Sequence, residues 1–147
     1  MKRYVFSLEK VLAYRRLREE QQWRQLAQAY RRRRQNEDIL AACRREMARE
    51  QNGKTVGSLD LEEWCHREAC LQALAERIRK QQEKLALLAL EVKELEQRAL
   101  QASQEREMLD RLKSRQMAAA QYEEGRREQR TIDELAVARY GYGEQGR

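Results

Sequence analysis

Proline is absent from this chain of 147 residues, and glycine occurs only six times. Turns in ordinary folds recruit both residues, so few turns are expected. Five of the six glycines fall in two short segments, 53–57 and 141–146, and only Gly125 interrupts a long helical stretch. This distribution of glycines predicts one turn in the middle of the chain and one frayed end.

Aromatic residues are also scarce, at 6%, whereas charged residues make up 38%. A compact globule needs more apolar volume than this mixture supplies. A pair of long helices needs only a narrow apolar seam, and Arg, Glu, Gln, Lys and Ala all favour helices. The composition therefore excludes a large core and favours a helical rod.

Long apolar runs are missing as well. No window approaches the roughly 18 apolar residues that cross a bilayer, and the N-terminus lacks the apolar core of a secretion signal, so a cytosolic protein is expected. Three cysteines, an odd number without framework spacing, predict reduced thiols.

The clearest positive pattern lies in the second half of the chain. From Leu71 onward, a series of positions steps alternately by three and four residues, and ten of its first twelve members are apolar. A sustained heptad repeat of this kind specifies a left-handed coiled coil. The series is Leu71, Leu74, Ile78, Gln81, Leu85, Leu88, Val92, Leu95, Ala99, Ala102, Arg106 and Leu109.

The first half carries a weaker apolar face. Its predicted members are Leu8, Val11, Leu12, Trp23, Leu26, Tyr30, Leu40, Cys43 and Met47. The predicted fold is all-α, with two long helices in an antiparallel coiled-coil hairpin and the second helix longer than the first. We expect one domain over 1–147, with helices at about 7–51 and 60–139, a turn at about 52–59 and a flexible tail at 140–147.

The turn also sets an expected register. If it centres near Val56, Leu26 lies near Ala86 and Leu8 near Gln104, so the second helix overhangs the first. The overhang keeps an apolar face of its own at Ile132, Leu135 and Ala136, which predicts either a helix-in-groove anchor or closure of the coil against Tyr4 and Phe6.

Positive charge concentrates in the first helix. Its densest run is Arg31–Arg34, and the sequence pI is about 9.4. Such a run either contacts acidic partners or phosphate, or is a solvated flank of the coil. Nucleic acid is disfavoured as a partner because Glu37 and Asp38 follow at once and no zipper-type basic region is present.

Catalytic signatures are nearly absent. The cluster Cys65-His66-x-x-x-Cys70 invites a metal reading, with Cys43 a further thiol, but Cys65 points about 140° away from Cys70 around a helix. Ordinary packing is favoured over a metal site or a Cys43–Cys70 disulfide. No phosphate cradle or nucleophile arrangement is found, so we predict neither an enzyme nor a cofactor.

The two ends of the chain resemble one family. The first carries Tyr4-x-Phe6-x-Leu8-Glu9-x-Val11-Leu12 followed by Arg15 and Arg16, and the second carries Glu124-x-x-Arg127-Glu128-Gln129-x-x-Ile132-Asp133-Glu134-Leu135-Ala136. Together these motifs are similar to those of the flagellar export protein FliJ family, over nearly the full length.

The resemblance implies a non-enzymatic, stalk-like coiled coil of the flagellar type III export apparatus, cytoplasmic and peripherally associated with the inner membrane at the flagellar base. It implies binding to the hexameric export ATPase FliI, to the cytoplasmic domain of the export gate FlhA, and to export chaperones. A virulence-type secretion homologue and a generic scaffold coiled coil stay open as alternatives.

Residue roles follow from the resemblance as expectations. Contacts to the gate are expected at Tyr30, Leu40 and Leu74. Contacts to the ATPase ring or the chaperones are expected at both ends of the chain, at Phe6, Leu8, Val11, Leu12, Ile132, Leu135 and Ala136.

Overall fold

A computed structural model describes residues 5–53 and 60–143. They form two α-helices, α1 at Glu9–Asn52 and α2 at Leu61–Gly143, packed against each other, and no strand occurs in these two ranges. The predicted all-α pair with a longer second helix is confirmed. α2 continues to Gly143, into the segment predicted as a tail, while most of the predicted turn and the last four residues lie outside the described residues.

The facing ends of the two helices are capped by side chains. The Asp60 carboxylate accepts the Leu61 amide at 2.8 Å and so satisfies one unpaired amide in the first turn of α2. The Arg67 guanidinium donates to the backbone oxygens of Glu50 (2.5 Å), Gln51 (3.2 Å) and Gly53 (3.3 Å). These carbonyls lack helical partners, so a residue of α2 satisfies the last turn of α1.

Contacts divide the chain into a first unit, Met1–Arg18 with Ala102–Arg147, and a second unit, Glu19–Gln101. Each unit pairs a piece of α1 with a piece of α2 in antiparallel fashion. In the second unit, Asn36 contacts Gln81 and Arg32 contacts Glu91; in the first unit, Arg15 contacts Glu105, and Glu9 contacts Lys113.

The second unit has a narrow apolar seam. Its central cluster consists of Leu26, Ala29, Val92, Leu95 and Ala99, all with less than a tenth of their surface exposed. The seam also contains a buried polar layer, in which the Gln81 amide donates to Asn36 Oδ1 at 2.7 Å and Asn36 is 8% exposed. Buried polar pairs of this kind fix the register of coiled coils.

The register differs from the predicted one. Leu26 clusters with Val92, six positions beyond the predicted neighbour Ala86, which is exposed. In the first unit, Glu9 pairs with Lys113, whereas Gln104, the predicted neighbour of Leu8, is exposed. The prediction assumed that the turn is symmetrical about Val56. The alignment of α1 with α2 is set instead by the polar layer of Asn36 and Gln81 and by the core cluster around Leu26.

The seam of α2 contains the predicted heptad positions, all buried or half-buried from Leu71 to Leu109. The seam of α1 was only partly predicted, because Val11, Trp23 and Tyr30 leave 42–50% of their surface exposed. Polar and small residues take their place. The buried or half-buried positions at heptad spacing begin with Leu8, just before α1, and continue within α1 at Leu12, Arg15, Glu19, Gln22, Leu26, Ala29, Arg33, Asn36, Leu40, Cys43 and Met47.

Candidate interaction surfaces

The distal part of α2 is uncovered. Every side chain from 121 to 140 is exposed, and the side-chain contacts recorded there are local ones within α2, such as Gln129 to Asp133 and Thr131 to Arg127. A helix without a tertiary partner is marginally stable in water. This segment therefore has the exposure required of a recognition element.

The apolar face of this segment is out of phase with the coiled-coil seam. Continued along α2, the seam heptad falls on Arg130 and Glu134, whereas Ile132 lies two residues, or about 200°, from each of them. Ile132 and Leu135 expose 58% and 63% of their surface and help to line a shallow groove with Ala136, Ala138 and Arg139. The phase shift indicates that this face does not serve pairing with α1.

The predicted residues at the start of the chain have a different environment. Phe6 is 4% exposed, with the Lys113 ammonium 6.0 Å from its ring centroid, and Leu12 is fully buried. Leu8 is half-buried and Val11 is 42% exposed. The alternative closure of Ile132 against Phe6 is not observed, and Tyr4 lies outside the described residues.

Ion pairs hold α1 to α2 in the first unit. Glu9 pairs with Lys113 at 2.7 Å, and Arg16 pairs with Asp110 at 2.9 Å. Arg106, at 2.8 Å, also contacts Asp110, and the hydrogen bond from Arg106, followed by that from Arg16, lowers the pKa of the Asp110 carboxyl. Electrostatics therefore supplement a sparse apolar seam at this end.

The residues predicted for gate contact do not share a surface. Leu40 (8% exposed) and Leu74 (6%) are buried, so a partner would reach them only after the helices separate. Tyr30 is 44% exposed and donates its hydroxyl to Glu96. That hydrogen bond, which needs the protonated phenol, raises the pKa of Tyr30.

One exposed apolar pair on α2 was not predicted from the sequence. Leu87 and Leu90 expose 69% and 61% of their surface. The seam in this region uses Leu85 and Leu88, so these two leucines are surplus to the heptad. Two leucines in excess of those that the heptad needs are the sequence feature that would have identified this exposed pair.

The arginine run is only partly available to a partner. Arg32 pairs with Glu91 at 2.6 Å and Arg33 pairs with Glu37 at 2.9 Å. Among the described residues, Arg31 and Arg34 have no ion pair and are exposed. Half of the predicted basic patch is thus neutralised within the molecule.

The cysteines are free thiols in three different environments: Cys43 is buried, Cys65 exposed and Cys70 half-buried. Cys70 Sγ lies 3.8 Å from His66 Nε2, one turn earlier on α2. Across 5–53 and 60–143, no group of three or more candidate metal ligands is assembled.

The family model of the flagellar FliJ protein matches residues 4–145. The chain belongs to the FliJ family. It is accordingly a component of the flagellar export apparatus, from a non-enzymatic family. No curated protein and no solved structure matches this FliJ-family chain. Its helices, where described, contain no stretch long and apolar enough to span a membrane.

Proposed function

We propose that this FliJ-family chain is a stalk-like coiled coil that binds the hexameric export ATPase FliI, links it to the cytoplasmic domain of the gate FlhA, and handles export chaperones. On this proposal it works in the cytoplasm, peripherally associated with the inner membrane. The observation that carries the proposal is the exposed, out-of-phase apolar face of distal α2.

The distal face supplies the ATPase or chaperone contact. Ile132 and Leu135 lie one turn apart with Ala136 beside them, which is the spacing of an amphipathic helix that docks in an apolar groove. Phe6 and Leu12 have a different role in the first unit. They are buried, and they hold the start of the chain against α2.

The gate contact falls on the second unit. Tyr30 stays in the proposed surface because it is exposed, whereas Leu40 and Leu74 keep the helices together. We add Leu87 and Leu90, since an exposed leucine pair on a solvated helix costs solubility unless a partner covers it.

The test uses two charge-introducing double variants of the same spacing. Ile132→Asp/Leu135→Asp should abolish the stimulation of ATP hydrolysis and of hexamer formation by the cognate ATPase. Leu87→Asp/Leu90→Asp, with matched exposure, should leave both unchanged and should weaken capture by the gate domain. Equal loss of stimulation in both variants would contradict the assignment of the ATPase contact to the distal face.

The cellular test is motility. A strain that lacks this chain should swim poorly because export is impaired, and wild-type chain supplied in trans should restore swimming. Normal swimming of the deletion strain would argue against a role in flagellar export.

A further inference from the structure

One face of α1 in the second unit carries a line of exposed arginines. Arg31 and Arg34 are exposed, and so are Arg45 and Arg49. Within 5–53 and 60–143, none of the four forms an ion pair. The described contacts therefore leave the charge of these four side chains uncompensated. We call these four residues the arginine face.

The arginine face lies on the side of α1 away from α2. At about 100° per residue, its four members fall within an arc of about 60° around the helix. The centre of that arc is roughly opposite Arg33 and Asn36, which occupy seam positions. At about 1.5 Å per residue, the line from Arg31 to Arg49 is about 27 Å long. One extended surface can therefore contact all four arginines at once.

The rest of this face lacks the anchor that a protein partner would need. A protein interface is centred on an aromatic or aliphatic side chain that fills a pocket. The other outward positions from 27 to 48 are all described, and apart from the acidic Asp38 they are small or uncharged. They are Ala27, Gln28, Gln35, Ala41, Ala42 and Ala48. Positive charge without a central anchor fits a uniformly anionic surface.

Shape and one aromatic residue favour a lipid surface over nucleic acid. A duplex is a cylinder, and a helix that crosses it contacts it over few residues unless the helix enters a groove. A bilayer is a plane, which meets the whole line of arginines. Trp23, at the edge of the arginine face, is 50% exposed, and Trp is enriched at the membrane–water interface.

We propose that the arginine face binds the headgroups of an anionic bilayer, with the guanidinium groups near the lipid phosphates and Trp23 in the interfacial layer. Each arginine near such a surface strengthens binding by about fivefold, and salt screens the attraction. The inference rests on the peripheral membrane association of the proposed function, and it assigns that association to named residues.

Vesicle binding tests the proposal. The full-length protein is mixed with vesicles of phosphatidylglycerol and phosphatidylcholine in equal amounts, and bound protein is measured by sedimentation. Binding should fall with added salt and should be absent with phosphatidylcholine alone. Arg31→Ala/Arg34→Ala/Arg45→Ala should weaken binding at least about tenfold. Arg31→Lys/Arg34→Lys/Arg45→Lys keeps the charge and should keep the binding.

A second triple variant controls for net charge. Arg77→Ala/Arg115→Ala/Arg130→Ala removes the same charge from exposed positions of α2 and should have little effect on vesicle binding. Circular dichroism checks that each variant remains helical. Equal weakening by the two alanine triples would attribute the binding to net charge and overturn the proposal.

Tryptophan fluorescence locates the contact. The chain has two tryptophans, Trp23 on α1 and Trp64 on α2. In Trp64→Phe, the emission of Trp23 should shift to shorter wavelength when the anionic vesicles are added. In Trp23→Phe, the emission of Trp64 should not shift. A shift of Trp64 in place of Trp23 would overturn the proposal.

Three further outcomes would overturn it. They are no binding to the anionic vesicles, binding of duplex DNA instead of vesicles, and binding of poly-L-glutamate instead of vesicles. The last two would assign the arginine face to nucleic acid or to an acidic protein. The assay contains neither the ATPase nor the gate, and all variants keep the exposed leucine pair and the distal apolar face. Its failure is therefore distinct from a failure of the proposed ATPase and gate contacts.

Discussion

At the scale of single residues, Asn36 and Gln81 form the one described layer in which two buried or half-buried amides meet between the helices. Gln81→Leu removes the donor and leaves the buried Asn36 Oδ1 unsatisfied, which should lower the free energy of unfolding by about 1–3 kcal/mol. The double variant Asn36→Leu/Gln81→Leu should recover most of this loss, since no amide is then stranded. Urea unfolding measures both, and equal destabilisation of the single and double variants would contradict the argument.

In the first unit, Asp110 gives the pairing of the helices a pH dependence. Its pKa is lowered by Arg106 and Arg16, so its contribution to stability is fully present above the ordinary carboxyl pKa of about 3.9 and is lost as the pH falls through the lower folded value. Asp110→Asn should cost less than about 1 kcal/mol near neutral pH, because the pairs are half-exposed.

Melting curves as a function of pH measure this effect. The difference between wild type and Asp110→Asn should shrink as the pH drops below about 3.9. Glu134→Gln, which replaces an exposed carboxylate on distal α2, is the control for removing one negative charge. A difference between wild type and Asp110→Asn that grows with acidification would have the wrong sign.

At the scale of helices, Arg67 joins the start of α2 to the end of α1. Arg67→Ala should fray the last turn of α1 and lower stability by about 0.3–1 kcal/mol, the range for a cation at a helix C-terminus. Faster hydrogen exchange confined to residues 47–53 is the expected signature. Arg77→Ala, an exposed arginine of the same helix, is the matched control and should leave exchange in α1 unchanged.

Gly125 controls the stability of distal α2. A Cβ placed there meets nothing within 4 Å, so Gly125→Ala adds helix propensity without a clash. It should stabilise the segment by up to about 1 kcal/mol, seen as slower hydrogen exchange over 118–132. Ala119→Gly, an exposed position six residues earlier, should have the opposite effect, and faster exchange in Gly125→Ala would exclude simple propensity as the cause.

The two helices also show how much the sequence could predict. α2 follows from its heptad because its seam positions are mostly Leu, Val or Ala, the pattern from which periodicity is read. α1 was harder, because Gln22 and Asn36 occupy seam positions while Trp23 and Tyr30 lie outside. Hydrophobicity alone places Trp23 and Tyr30 in the seam and Gln22 and Asn36 outside it, the reverse of the structure. The register of the two helices depends on the Asn36–Gln81 amide pair, which hydrophobic periodicity does not identify.

For the whole molecule, α2 has a part that pairs with α1 and a distal part that no other described element covers. We expect truncations of these two parts to affect folding and function separately. Among the side chains that the structure describes, which end at residue 140, Ala120 is the last half-buried one. Truncation after it should therefore leave the unfolding midpoint of the paired helices unchanged. Truncation after Gln101 also removes Ala102 and the acidic partners of Arg15 and Arg16, and it should lower that midpoint.

Both truncated chains should fail to stimulate the export ATPase, because both lack Ile132 and Leu135. Only the chain that ends at Ala120 separates the role in folding from the role in recognition. If that chain melts like wild type and does not stimulate hydrolysis, recognition is assigned to distal α2. Full stimulation by that chain would shift the ATPase contact to the paired helices. In that case Val11, the most exposed member of the predicted set at the start of the chain, becomes the next position to test.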